Sequence, residues 1–360
     1  MFDINNLVRE NIKKLTPYSS ARDEFKGEAK VYLDANENSL GSPLMKWYNR
    51  YPDPLQWKVK EKLSEIKTVP PQNMFLGNGS DECIDLLYRA FCNPGKDNVI
   101  ICPPTYGMYE VSANINDVEV RKAPLLDDFQ LNLAHIEQLA DANTKIIWIC
   151  SPNNPTGNSL NREDIETVLN NFNGLVVVDE AYINFSRQRS FLKELTDYPN
   201  LVVMQTLSKA WGLAGLRLGM MFASEAIINI INKVKPPYNI GQHTQEIVLQ
   251  ALENTDQVND MIMMIVDMRY ALEDVFNQMP IVEKVYPSDA NFLLVKMQNA
   301  DDVYNYLLNE GIVVRNRSKV ALCEGGLRIT VGTEQENTAL VDALGSYIGQ
   351  LKFEKATDNG

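Results

Sequence analysis

Histidine is scarce in this chain: His135 and His243 are the only two among 360 residues, and they stand far apart. A site of clustered imidazoles is excluded, and no metal centre is expected. The five cysteines (Cys83, Cys92, Cys102, Cys150 and Cys323) are odd in number, dispersed, and nowhere spaced as Cys-x-x-Cys. That usage argues against a disulfide framework and for reduced thiols in a cytoplasmic protein. Positive charge is also in deficit, with 34 Lys and Arg against 47 Asp and Glu and a net charge of −13. Nucleic acid and anionic membrane surfaces both select basic footprints, so neither is an expected partner. Long apolar runs are missing: stretches such as "MIMMIV" at 261–266 fall well short of a membrane span. The opening "MFDINNLVRENIKKL" has no apolar core of the kind a signal peptide carries.

What is present is ordinary globular composition, 45% hydrophobic and 22% charged. The length exceeds what one compact core usually holds, so two domains, or one large α/β unit with an appendage, are expected. Residues 1–30 read as a polar arm with one short helical pattern, expected to pack with a smaller domain or a partner subunit. From 73 to 223, short β-branched runs alternate with helical stretches. The strand candidates are 74–77, 98–102, 118–123, 145–150, 174–181, 201–205 and 218–223. Near-continuous apolar runs such as "LVVV" suit strands buried on both faces of a mostly parallel sheet, and alternation with helices implies an α/β layered domain. Helical periodicity dominates 225–280. The last 80 residues change grammar, with strands expected in "NFLLVKM", "GIVVRNR" and "LRITVG" and helices near 301–310 and 334–352. The expected division is therefore an arm (1–30), a large domain (31–250) and a smaller α+β domain (251–360).

Ligands of open parallel sheets bind at the carboxyl ends of the strands. After "MFLG" comes "NGSDE" (78–82) and then a helical pattern, so Gly79, Ser80 and Asp81 lie at a helix N-terminus, where free N–H groups and the helix dipole attract an anion. The same residues would also serve as an ordinary cap. After "VVV" stands Asp179, a carboxylate whose pKa must rise at a buried strand end unless it finds a partner. After "IIWIC" the loop "SPNNPTG" presents Asn154, and after "LVVMQ" comes "TLSKAWGLAGLRLGM" with Lys209 and Arg217. Taken alone, that lysine could point into water from a surface turn.

One small molecule uses all four strand ends together. Pyridoxal 5′-phosphate has a phosphate for residues 79–81, a ring nitrogen for Asp179, a ring oxygen for Asn154 and an aldehyde for Lys209. A free lysine, with pKa about 10.4, presents its neutral amine at pH 7 only at a cost of about 4.6 kcal/mol. Bonding the amine covalently to an aldehyde avoids that cost at rest.

The ordered motifs GNGSDE, PTYGMY, SPNNPTG, VDEAY and TLSKAWGLAGLRLG resemble those of the fold-type-I aminotransferases that use pyridoxal phosphate. "LDANENSLG" (33–41), "RYPDP" (50–54) and "LRITVGT" (327–333) are similar to the histidinol-phosphate aminotransferase family in particular, and the resemblance runs from about residue 30 to about 345. Ser39 departs from it where proline is expected. The resemblance implies a large domain with a mostly parallel seven-stranded sheet beside a smaller α+β domain. It makes Lys209 the lysine that bonds the cofactor, Asp179 the partner of the ring nitrogen, and Asn154 and Tyr182 the partners of the ring oxygen. Tyr106 would stack on the ring, and Ser208, Arg217 and the backbone of 79–81 would hold the phosphate. Tyr51 would reach the cofactor of a neighbouring subunit in a homodimer. Tyr18, Asn36, Arg315 and Arg328 would hold the substrates, histidinol phosphate and glutamate or 2-oxoglutarate. A decarboxylase of a phosphorylated amino acid, of the threonine-phosphate type, would use the same cofactor constellation. A broad aromatic aminotransferase is the other alternative.

Overall fold

The structure, a computed structural model, describes residues 2–17, 31, 33–44 and 48–358. Seven strands form the larger sheet: β1 Met74–Asn78, β2 Asn98–Ile101, β3 Glu119–Lys122, β4 Thr144–Cys150, β5 Leu175–Asp179, β6 Leu201–Thr206 and β7 Leu218–Ala223, in the order β1-β7-β6-β5-β4-β2-β3. β3, β2, β4, β5 and β6 pair in parallel, and β7 runs antiparallel to both neighbours. All seven expected strands are present, within a few residues of their expected bounds.

Burial on both faces is what the apolar runs demand. Ile147, Ile149, Val176, Val178 and Val203 belong to one apolar cluster, while their alternating neighbours Ile146, Trp148, Leu175, Val177 and Val202 belong to a second on the opposite face. All are essentially inaccessible to solvent. A sheet covered this way places its site at an edge, because neither face is free.

The smaller sheet is antiparallel, in the order β10-β11-β9-β8, with β8 Val282–Val285, β9 Phe292–Met297, β10 Arg315–Asn316 and β11 Gly326–Thr330. Two expectations are corrected here. β8 was not foreseen, because "VEKV" is a half-exposed edge strand whose polar residues hide the alternation. The expected strand across 311–317 shrinks to Arg315–Asn316, since Val313 is 80% exposed and only the end of the run meets β11. Leu293, Val295, Leu327 and Ile329 pack with Leu272, Phe276, Val303 and Leu344 in a third cluster. Phe292 and Leu294, on the other face of β9, join the first cluster, so the two sheets share a core.

Residues 2–17 carry two short helices, Ile4–Leu7 and Glu10–Lys13. Their Leu7, Val8 and Ile12 are buried in the large sheet's second cluster with Leu87 and Phe91, not in the small sheet's cluster. The expected boundary at 250 falls inside the helix Gln242–Leu252, whose Val248 and Leu252 belong to the first cluster. We place the division along the next helix, Thr255–Asn277, which gives Val258 to the first cluster and Leu272 and Phe276 to the third.

Candidate active site

A cavity of about 580 Å³ opens where the carboxyl ends of β4, β5 and β6 face β10 and β11. That volume suits a small-molecule ligand. The large sheet contributes Asp179 from the end of β5, Asn154 from the loop after β4, and Ser208 and Lys209 from the loop after β6. Tyr182 follows Asp179 by three residues, and Arg315 and Arg328 come from the small sheet. Gly79, Ser80, Asp81, Tyr106 and Arg217 also line it.

At one end the helix Gly79–Phe91 begins directly after β1. β7 passes close beneath it: a Cβ on Gly219 would lie 2.3 Å from both Gly79 C and Ser80 N, so that strand position requires glycine. Arg217 adopts a left-handed conformation (φ 54°) that turns its carbonyl onto the Gly79 N–H at 2.8 Å. Of the backbone donors expected at 79–81, the Gly79 N–H is already committed to this carbonyl. The donors that remain at this helix start are the N–H groups of Ser80 and Asp81. The Arg217 side chain lies 3.3 Å from Asp81 Oδ2, and the Ser208 N–H donates to Thr206 Oγ1 at 3.1 Å.

At the floor, Asp179 is 3% exposed. Burial raises its pKa from 3.8 to about 6, against two hydrogen bonds that favour the charged form. These come from Tyr109 Oη, at 2.7 Å, and from the Ala181 N–H, at 3.1 Å. Tyr109 is itself fixed by stacking on Trp148, with ring centroids 4.8 Å apart. Glu180 turns the other way, accepting from Ser190 Oγ, the Phe191 N–H and Gln205, and so belongs to the interior.

An acid whose pKa is raised by folding stabilises the folded state only while protonated. Between pH 4 and 6 the folded chain retains a proton that the unfolded chain has lost, so stability falls as pH rises through that window, by roughly 3 kcal/mol in all. In ligand-free protein, Asp179→Asn is expected to remove this loss, and Tyr109→Phe to move it to higher pH. Melting temperatures measured from pH 4 to 7 check both. Parallel pH profiles for wild type and Asp179→Asn would mean that Asp179 is not the strained group.

At the other end, Arg328 Nη1 donates to Asn154 Oδ1 at 2.6 Å, and Asn154 Nδ2 lies 3.5 Å from Tyr182 Oη. This chain of contacts joins the small sheet to the ends of β4 and β5. Arg328 keeps a buried Nε with no partner, which leaves it able to bind a further acceptor. Partial burial, with Arg328 and Arg217 nearby, holds Lys209 below the usual lysine range. Its Nζ lies 5.7 Å from the centre of the Tyr182 ring.

Not every expected residue comes to this cavity. Asn36 and Tyr51 line a separate hollow of about 410 Å³ with Gln242 and His243, and Tyr51 stacks on Tyr238 at 4.4 Å. Tyr18 lies outside the described residues. Three participants went unforeseen. Tyr109 stands in PTYGMY three residues after Tyr106, in the first turn of the helix Met108–Ile115. Asn153 donates to the Pro104 carbonyl at 2.8 Å and accepts from Thr105 Oγ1, holding the Tyr106 loop to the Asn154 loop. Arg317 also lines the cavity, two residues beyond Arg315.

Comparison with known proteins places this arrangement among relatives. The family described as aminotransferase class I and II matches residues 11–344. Over 344 residues, 96% of this chain and 99% of the relative, the sequence is 55% identical to a histidinol-phosphate aminotransferase of Parabacteroides distasonis. It is 52% identical to that of Cytophaga hutchinsonii over 96% of this chain and 99% of the relative. Among solved structures, the Sinorhizobium meliloti histidinol-phosphate aminotransferase in complex with pyridoxal-5′-phosphate superposes with a TM-score of 0.78 at 22% identity, covering 88% of this chain and 90% of that one. An L-threonine-O-3-phosphate decarboxylase from Porphyromonas gingivalis gives 0.72 at 23%, covering 84% and 91%. Shape alone therefore shows the fold and does not separate the two chemistries; the sequence relationship does.

Proposed function

This chain belongs to the class I and II aminotransferases, and from that premise we propose that it is a transaminase of L-histidine biosynthesis. It exchanges L-histidinol phosphate and 2-oxoglutarate for imidazole-acetol phosphate and L-glutamate, with pyridoxal 5′-phosphate as cofactor. The observation that carries this reading is the convergence of Lys209, Asp179 and the Arg328–Asn154–Tyr182 chain on one cavity.

The residues fit the cofactor. A fully buried carboxylate at Asp179, with two donors and, among the described residues, no cation bonded to it, lacks the positive partner that a protonated ring nitrogen would provide. The N–H groups of Ser80 and Asp81, the Ser208 hydroxyl and Arg217 would hold the phosphate. Asn154 and Tyr182 would hold the ring oxygen, and Tyr106 the ring face. When bound, pyridoxal phosphate supplies an aldehyde that takes up the amino group and a ring that accepts the electron pair freed at the substrate α-carbon. With the cofactor bound, Lys209 would have two tasks: its amine would hold the aldehyde covalently, and its Nζ, once free, would carry the proton that the substrate α-carbon gives up. A lowered pKa suits both, since only the neutral amine can act. Asp179 would pair, ionised, with the protonated ring nitrogen and favour that proton's retention.

Arg328 meets the anionic end of both substrates, a carboxylate in glutamate and a phosphate in histidinol phosphate, because its planar fork fits either. Arg328→Lys keeps the charge and loses the fork. Both half-reactions are expected to slow by about 30-fold or more in single-turnover absorbance measurements. Loss confined to glutamate would make Arg328 a carboxylate clamp only.

A homodimer in the cytoplasm completes the reading. Leu33 (84% exposed) and Leu40 (93%) flank the Asn36 hollow in sequence, and such apolar surface favours cover by a second copy. The five cysteines are all unpaired thiols, as a reducing compartment would keep them. With Tyr51 serving the neighbouring site, Lys209→Ala mixed with an inactive variant carrying Tyr51→Phe and a second change in 33–51 is expected to regain activity after subunit exchange. No recovery after verified exchange would mean that each site is complete within one chain.

A further inference from the structure

β10 and β11 present an arrangement of charge that the reaction as described does not require. Arg315 lies directly opposite Arg328 in the antiparallel ladder. The Arg317 N–H donates to the Gly326 carbonyl at 2.8 Å and so carries the ladder one step beyond the strand. Side chains alternate along a strand, which puts 315 and 317 on one face, and directly opposite residues share a face as well. All three arginines line the Lys209 cavity. Like charges set opposite each other destabilise a sheet. Here no carboxylate offsets them: among the described residues none of the three forms an ion pair, and what their side chains do find is neutral, the Asn154 amide oxygen and the Phe292 ring 5.3 Å from the Arg328 guanidinium. Arg317 and Arg328 each retain a buried Nε without a partner. Arg317 lies below the usual arginine range through burial and the proximity of Arg328 and Arg315. Such a cluster is built to receive an anion from outside.

The two amino donors differ in how their charge is distributed: glutamate divides about two negative charges between two separate carboxylates, whereas histidinol phosphate gathers its charge on one phosphate. A carboxylate carries a single negative charge, which Arg328 with Arg315 can match. A phosphate monoester near pH 7 carries about −1.5 to −2 and presents three acceptor oxygens. We propose that Arg317 is a specificity-determining residue that pairs with the second negative charge of a phosphorylated amine, setting the preference of this site for such amines over amino acids. The proposal rests on the substrate reading above and adds the residue that separates the two half-reactions.

The test compares holoenzyme carrying Arg317→Gln or Arg317→Lys with wild type, using single-turnover absorbance changes on histidinol phosphate and on glutamate. Inorganic phosphate is added as a competitor of the glutamate half-reaction. For Arg317→Gln the expected result is a loss of about 30-fold in kcat/KM on histidinol phosphate, mostly through KM. The change on glutamate should be under about threefold, with a matching rise in the inhibition constant for phosphate. Arg317→Lys should recover part of both, since it restores the charge without the fork. Equal losses on the two donors, or none on either, would overturn the proposal; a cluster that merely holds the fold together would give the former. Wild-type enzyme inert toward histidinol phosphate would overturn the substrate reading instead, and phosphate inhibition of the glutamate half-reaction would still decide the role of Arg317.

Discussion

Replacing Lys209 by alanine is expected to lower turnover by more than about ten-thousand-fold while leaving a folded protein that still holds its cofactor. The expectation follows from where the other contacts lie. Ser80, Asp81, Ser208 and Arg217 stand at the phosphate end and Asp179 on the floor, and none of them reaches the cavity through Lys209. What alanine removes is the covalent link and the base that moves the α-proton. No neighbour replaces that base: Tyr182 is held well above the ordinary phenol range by burial, and Arg328 is a permanent cation bonded to Asn154. Small primary amines added to Lys209→Ala should restore part of the rate by supplying a free base in the cavity. In wild type, borohydride reduction followed by peptide mapping should mark Lys209. A mark on any other lysine would remove Lys209 from the mechanism.

The second large effect belongs to Asp179. Asp179→Asn is expected to slow the reaction by about a thousandfold or more, with a smaller loss of cofactor affinity. The amide keeps the size of the side chain and can still meet the Tyr109 hydroxyl and the Ala181 N–H. It cannot hold a proton on the ring nitrogen, because it has no charge to balance one. In a floor from which water is excluded, that difference is worth several kcal/mol. The two hydrogen bonds matter because burial alone favours a neutral Asp179, and they oppose it. A variant retaining a tenth of the wild-type rate would show that the carboxylate does something else.

Much of this site could be anticipated because strand ends are easy to find when strands are buried on both faces. Leu175–Asp179 reads as four apolar residues and a carboxylate, and the carboxylate falls at the sheet's ligand edge for that reason alone. The same logic places Asn154 and Lys209. It fails where meaning depends on a distant partner. Tyr109 is one aromatic among many until Asp179, 70 residues away in sequence, is seen to accept its hydroxyl. Arg317 resembles a solvated charge until its N–H is seen to meet the Gly326 carbonyl of β11, which brings it to the cavity that Arg328 also lines. The Gly79 N–H was expected to be free and is not, because a left-handed Arg217 on another strand connection reaches it. β8 was hidden by its exposure: an edge strand half in water carries little apolar pattern to detect.

The central claim is that this cavity moves an amino group from a phosphorylated amino alcohol, and it is tested most directly on purified enzyme reconstituted with pyridoxal phosphate. Visible absorbance is followed after adding histidinol phosphate and, in a separate sample, threonine phosphate. The account predicts a rapid loss of the resting absorbance with histidinol phosphate, release of imidazole-acetol phosphate, recovery on adding 2-oxoglutarate, and no carbon dioxide from threonine phosphate. Carbon dioxide released from threonine phosphate, with histidinol phosphate inert, would contradict it.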